Sequence, residues 1–158
     1  MSGSLPDPGH LARRFVTSLS RRAPAAADES WARRWLSPAE VELWRAMSNQ
    51  DRRHSVQVAR RFADLRADEW GEAEPPSAEM AGALLHDVGK TVSSLGTFSR
   101  VVATVVGPRT ERFRWYHDHE PIGAALAGRA GSHPVTIALI NGHGPTAAAT
   151  ALRAADTI

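Results

Sequence analysis

The sequence predicts an all-α fold, a helical bundle preceded by a short N-terminal helical extension. Three observations carry this. Apolar residues recur at spacings of three and four along most of the chain. No stretch alternates apolar and polar residues as a half-buried strand does. Pro and Gly fall between the periodic stretches at helix-length intervals. With 158 residues and 42% apolar composition, one main domain with a sizeable core is expected. Residues 1–36 read as the extension and its linker, and residues 37–158 as the main helical domain.

Each element has a local reason. Asp7-Pro8 is a cap followed by Pro at the first helical position, and Leu11, Phe15 and Leu19 mark one face of a short helix. A basic Ala/Pro linker follows from Arg21 to Ala27. Asp28 is placed to cap a second short helix carrying Trp31 and Trp35, whose spacing of four reads as a buried face. Ser37-Pro38-Ala39-Glu40 forms a capping box and opens a long helix to about Leu65. Val41, Trp44, Met47, Val58, Phe62 and Leu65 trace its buried stripe, and His54 falls on that stripe.

An acidic loop from Asp68 to Pro76 leads to Ser77, the expected cap of a helix that is apolar on most sides and therefore central. That helix ends in His86-Asp87-Val88-Gly89-Lys90. Further helices are expected from Thr91 to Val106, over residues 111–130, from Pro134 to Gly142, and from Pro145 onward. In the 111–130 helix, His119, Ile122, Gly123 and Leu126 share one face, and Gly123 lets another backbone approach. His143 follows Leu139 and Ile140 at a helix end, and Asp156 ends the stripe of Ala149 and Leu152. An acidic residue closing an apolar stripe is costly to bury unless paired or metal-bound.

The chain contains no cysteine, so disulfides and thiolate ligands are excluded. A metal site must then use His, Asp and Glu, which suits Mn, Fe, Co, Mg, Ni or Zn rather than a zinc finger. No apolar run reaches the length of a membrane span and no signal peptide is visible, so a cytoplasmic location is the default expectation. Charge is uneven: residues 1–66 carry +5 (twelve Arg, seven acids) and residues 67–158 carry −3 (seven bases, ten acids). The basic doublets are scattered and read as solvated helix surface, so nucleic-acid binding is not favoured.

The chemistry concentrates in His54, His86, Asp87, His119, His143 and Asp156, each on an inward stripe or at the end of one. Adjacent side chains on a regular helix point about 100° apart, so His86 and Asp87 need a helix end to converge, and Gly89 is expected to loosen it. Lys90 is the chain's single lysine, against eighteen arginines, and stands within reach as a phosphate-binding charge. His10, His117 and His133 do not fit the pattern and read as surface groups.

In this arrangement the sequence resembles the HD-domain metal-dependent phosphohydrolases. Their pattern is His, then His-Asp, then a later Asp, matched by His54, His86-Asp87 and Asp156. A subset has two further histidines, matched by His119, within His119-Glu120-Pro121-Ile122-Gly123, and by His143. Lys90 fits the His-Asp-x-Gly-Lys variant. The likeness runs from about Pro38 to the C-terminus over five separate segments. No Gly-Tyr-Pro segment follows His143, and Gln50 stands where the cyclic-dinucleotide subset tends to have Glu. The nearer likeness is to small stand-alone HD hydrolases, including those that cleave diadenosine tetraphosphate symmetrically.

The resemblance implies an HD-type helical bundle holding one or two divalent ions. His54, His86, Asp87 and Asp156 would hold the first, and His119 and His143, with Asp87 bridging, the second. It also implies water attacking phosphorus in line, with Asp87 and Lys90 as the catalytic groups. The expected substrate is a small phosphorylated compound, with a nucleotide the leading class. Arg109, Arg112 and Arg114 are further basic residues near the His119 helix, read mainly as solvated. Two alternatives come from other classes: a catalytically idle HD domain regulating through a nucleotide or partner, and a basic helical protein that binds nucleic acid.

Overall fold

The computed structural model describes residues 22–71, 73–93 and 119–157. Among these, seven α-helices and one 3-10 segment are present and no strand. They are α1 (Ala26–Arg33), α2 (Pro38–Ala46), α3 (Asn49–Trp70), α4 (Ser77–Leu85), the 3-10 segment (Val88–Ser93), α5 (His119–Arg129), α6 (Pro134–Ile140) and α7 (Thr146–Ala155). The expected first helix around Leu11 to Leu19, most of the Thr91–Val106 helix and the start of the 111–130 helix lie outside the described residues, as do Arg109, Arg112, Arg114 and His117.

Helix α4 is the axis of the bundle. Every residue from Glu79 to Leu85 is buried, and α4 packs on α3 and α6. Gly82 sets the distance to α6: a Cβ there would stand 2.9 Å from the Leu139 side chain. Thr136 adds a hydrogen bond from its hydroxyl to the Ala78 carbonyl at 2.7 Å. Pro76 is the cap residue and Ser77 the first helical one, so Ser77 does not cap this helix with its side chain.

The Ser37 capping box forms as the sequence predicts. Glu40 N–H donates to Ser37 Oγ, and Ser37 N–H donates to Glu40 Oε2 at 2.8 Å. The long helix it was expected to open is instead two helices. Met47 is extended (φ −66°, ψ 153°), and Ser48 caps α3 by accepting from the Asp51 N–H. Ser48 also donates its hydroxyl to Asp51 Oδ2 at 2.7 Å. The Ser-x-x-Asp signal was present but lay inside an apolar stripe that runs across the break. The turn swings α3 so that buried Trp44 donates its indole N–H to Ser55 Oγ at 2.9 Å. Ser48→Ala removes the cap and is expected to cost about 1 kcal/mol, read as a lower urea midpoint at unchanged slope.

The buried face of α3 runs through Ser55, Val56, Val58, Ala59, Phe62 and Arg66. Leu65, expected on this face, is 49% exposed, and Arg66 takes the inward place one residue on. Its guanidinium forms paired hydrogen bonds of 3.1–3.2 Å with Glu79 of α4 and also bonds Glu69.

Residues ahead of Ser37 join the same core. Ala32 and Leu36 are buried in it. Asp28 lies in the first turn of α1 rather than at its cap, and pairs with Arg60 of α3 at 2.7 Å. Trp31 and Trp35 pack against the core, edge to face at 6.2 Å, and Arg60 covers the Trp31 ring at 4.9 Å. Rings held this way act as packing groups. No helix among the described residues is long and apolar enough to cross a membrane.

Candidate metal centre

Four helix ends and faces converge beside α4. His86 is the C-cap of α4 with helical backbone (φ −54°, ψ −33°). The chain then winds tighter, not looser, into the 3-10 segment, with Lys90 N–H donating to the Asp87 carbonyl at 3.0 Å. Three residues per turn eclipse positions i and i+3. Lys90 therefore stands over Asp87, and its Nζ donates to Asp87 Oδ2 at 2.7 Å. At this helix end His86 Nε2 lies 3.4 Å from Asp87 Oδ2.

Gly89 is not among the glycines with positive φ, so the expected left-handed loosening is absent. Gly89 allows close approach instead. A Cβ there would fall on the His119 carbonyl oxygen, 2.7 Å from the His119 carbonyl carbon and 2.9 Å from Gly123 N. Gly123 answers it from α5, where a Cβ would stand 3.1 Å from Gly89 N. The approach of two backbones expected at Gly123 is thus a contact with Gly89. It sets His119 beside Asp87, Nε2 to Oδ1 3.8 Å. Gly89→Ala must push α5 away, with an expected stability loss of about 1–3 kcal/mol and a displaced His119. Chemical denaturation and the His119 ring NMR signals would report the two effects.

His54 reaches the group from α3, and Asp156 from the end of α7, which packs along α3. Asp156 Oδ1 bridges two imidazoles, His54 Nε2 at 2.9 Å and His86 Nε2 at 3.2 Å. Asp156 is the C-cap of α7, its N–H donating to the Leu152 carbonyl at 3.0 Å. A carboxylate at a helix C-terminus adds to the negative end of the dipole, so this corner attracts a cation. His86 is oriented from behind: Nδ1 faces the Ala83 carbonyl at 2.8 Å. As a donor there, Nδ1 leaves the Nε2 lone pair facing the cluster, the usual support of a metal-ligating histidine.

Burial alone depresses the His86 imidazole, but the Asp156 hydrogen bond, the Asp87 and Asp156 charges and the Ala83 carbonyl outweigh it and hold it above the ordinary histidine value. Burial likewise raises the Asp156 carboxyl, yet its bonds to and charges of His54 and His86 bring it far below the usual carboxylate range. Burial opposes the Lys90 charge too, and Asp87, Asp51 and Asp156 more than offset it. The signs fix a pH window for the metal-free protein. The His86 contribution is full below the unfolded histidine value of about 6.5 and fades as pH rises through the raised one. The Asp156 contribution is full above the unfolded value of about 3.9 and fades as pH falls through the depressed one. Thermal melts in chelator are expected to peak between these limits. A divalent ion needs the imidazoles neutral, so its added stabilisation should grow above the window.

The donor set fits a divalent ion. One ligand atom each from His54, His86 and Asp87 lies within 4.8 Å of the others, and Asp156 joins both histidines. Imidazole and carboxylate suit Mn, Fe, Co, Ni, Zn or Mg without selecting one. His143 stands apart from this group. The chain leaves α6 through Asn141 and Gly142 (φ +75°), which turns His143 outward. It is exposed, with Nδ1 held by the Asn141 carbonyl at 2.6 Å. His133, read as a surface group, is exposed and caps α6 by accepting from the Val135 N–H.

Beside the cluster lies an open recess of about 410 Å³, mouth included, lined by cluster residues and His119, with Glu120 and Arg153 as its outer charged groups. Arg153 was not singled out from sequence, although its place one turn before Asp156 on a helix puts both on one face.

The family model described as HD domain matches residues 52–156. The chain belongs to the HD-domain family. The matched span starts two residues before His54 and ends on Asp156, so the 2.9 Å contact between those side chains joins its two ends. This HD domain is all-α, and the family is one of metal-dependent phosphohydrolases. Neither a search of curated proteins nor one of solved structures finds a match to the chain.

Proposed function

We propose that this HD-domain protein is a metal-dependent phosphohydrolase acting on a nucleotide or another small phosphoester. The observation that carries the reading is the convergence of His54, His86, Asp87 and Asp156, three of which (His86, Asp87 and Asp156) line an open recess. A divalent ion bound there lowers the pKa of water and offsets phosphoryl charge. The chain's own groups supply the rest. His54, His86, Asp87 and Asp156 would hold the ion, and the Ala83 carbonyl orients the His86 ring. Lys90 balances Asp87 and presents a half-exposed ammonium for phosphate. His119, beside Asp87 and lining the recess, meets the substrate side of the site.

The test is a phosphoester panel (a phosphomonoester, a phosphodiester, nucleotides and a dinucleoside polyphosphate) with each candidate ion in turn. Turnover that needs a metal and stops with chelator is the expected result. A metal-loaded, folded protein that turns over none of them would contradict the reading, and the idle regulatory domain would replace it.

A further inference from the structure

The recess is asymmetric in charge. It is lined by His86, Asp87, Asp156 and His119, by apolar Leu139, Ile140 and Leu152, and by two further charged side chains of opposite sign, Glu120 and Arg153. Glu120 is pressed onto backbone: a Cβ on Gly142 would meet its Oε2 at 2.8 Å and its Cδ at 3.3 Å. Gly142 is therefore what lets this carboxylate lie along the recess. Arg153 projects from α7, three residues before Asp156 and so about 4.5 Å back along the helix axis. Among the described residues it has no ion-pair or hydrogen-bond partner, although Glu120 and Asp156 line the same recess. Other arginines are engaged: Arg60 with Asp28, Arg45 with Glu29 and Glu42, Arg66 with Glu79.

We infer that Arg153 determines specificity by taking a second anionic group of the substrate, so that the site prefers a phosphate chain over a lone phosphate. The inference rests on the phosphohydrolase reading for the place of the reacting phosphate, at the cluster. Along the recess lining an anionic chain meets a carboxylate at Glu120 and, at Arg153, a planar donor fork matched to phosphate oxygens. Glu120 thus confines the chain to the α7 side. Substrates with a diphosphate or longer chain use both the cluster and Arg153, whereas a monophosphate uses the cluster alone.

The test measures binding, so it does not depend on turnover. Full-length protein is titrated calorimetrically with methylphosphonate and with methylenediphosphonate, both resistant to hydrolysis, with Mn²⁺ in excess over ligand. Wild type is expected to prefer the diphosphonate by about tenfold or more, in line with a charge-assisted pair. Arg153→Gln should remove most of that preference while changing methylphosphonate binding less than about twofold. Arg129→Gln, at an exposed arginine outside the recess, should leave the preference intact. Equal binding of the two ligands by wild type, equal losses for both in Arg153→Gln, or binding of neither would overturn the inference. Monophosphoester turnover alongside any of these results would leave the hydrolase reading standing. A preference that Arg153→Gln abolishes supports the inference even if no substrate turns over.

Discussion

Asp87→Ala is expected to abolish metal retention and to lower phosphoester turnover by more than about 100-fold, the upper end of the cost of losing a mere supporting group around a metal. Asp87 is the most connected group of the cluster. Its side chain is only 4% exposed, with Oδ2 facing Lys90 at 2.7 Å and His86 at 3.4 Å, and Oδ1 facing His119 at 3.8 Å. Removing it takes away a proposed ion ligand and the Asp87 partner of the Lys90 ammonium, whose charge would then repel a cation. Helix content should change little, because among the described residues no backbone hydrogen bond uses the carboxylate and the 3-10 bond from Lys90 N–H goes to the Asp87 carbonyl. Asp87→Asn is the closer control, since it keeps shape and removes charge. Elemental analysis, far-UV circular dichroism and turnover on the same preparation check the expectation. Wild-type turnover by either variant would remove Asp87 from the site.

The largest effect on stability is expected away from the site, at Glu79. Arg66 and Glu79 are both nearly buried, with 8% and 11% side-chain exposure, and join α3 to α4 through paired bonds. Glu79→Ala leaves a guanidinium in the core. Breaking a buried pair from one side costs about 3–5 kcal/mol, and the lower end is expected because Arg66 keeps Glu69. A double replacement, Arg66→Met with Glu79→Met, removes both charges and should recover much of the loss. Urea unfolding of the single and double variants measures this. A single variant within about 0.5 kcal/mol of wild type, the range of ordinary surface changes, would mean that water reaches the pair.

How much of this was legible in the sequence depended on the range of the interaction. Ser37 and Glu40 lie one turn apart, and their capping box is readable locally. So are the central character of α4, from its lack of a polar face, and the close approach at Gly123. Inward faces also gave the histidines and carboxylates as candidates, and the family pattern ordered them. Long-range partners were not legible. Nothing near Leu65 and Arg66 tells which one turns inward, because the deciding partner, Glu79, is thirteen residues away on another helix. The break at Ser48 carried a local signal but was masked by apolar spacing that stays in phase across it. Gly89 was assigned the right residue type for the wrong reason: it accommodates a backbone that arrives from α5, not a left-handed turn of its own. His143 shares an apolar stripe with Leu139 and Ile140, yet the turn at Gly142 rotates it outward, which periodicity within α6 does not register.

His54, His86, Asp87 and Asp156 are proposed to form one divalent-ion site. Metal content per chain, measured by elemental analysis on untagged protein prepared without chelator, tests it most directly. At least one equivalent of Fe, Mn, Co, Ni or Zn is expected, retained in His143→Ala and lost in Asp87→Ala. No bound metal, even after reconstitution with each ion, would contradict the claim and leave the four side chains as a hydrogen-bonded cluster tying α3, α4 and α7 together.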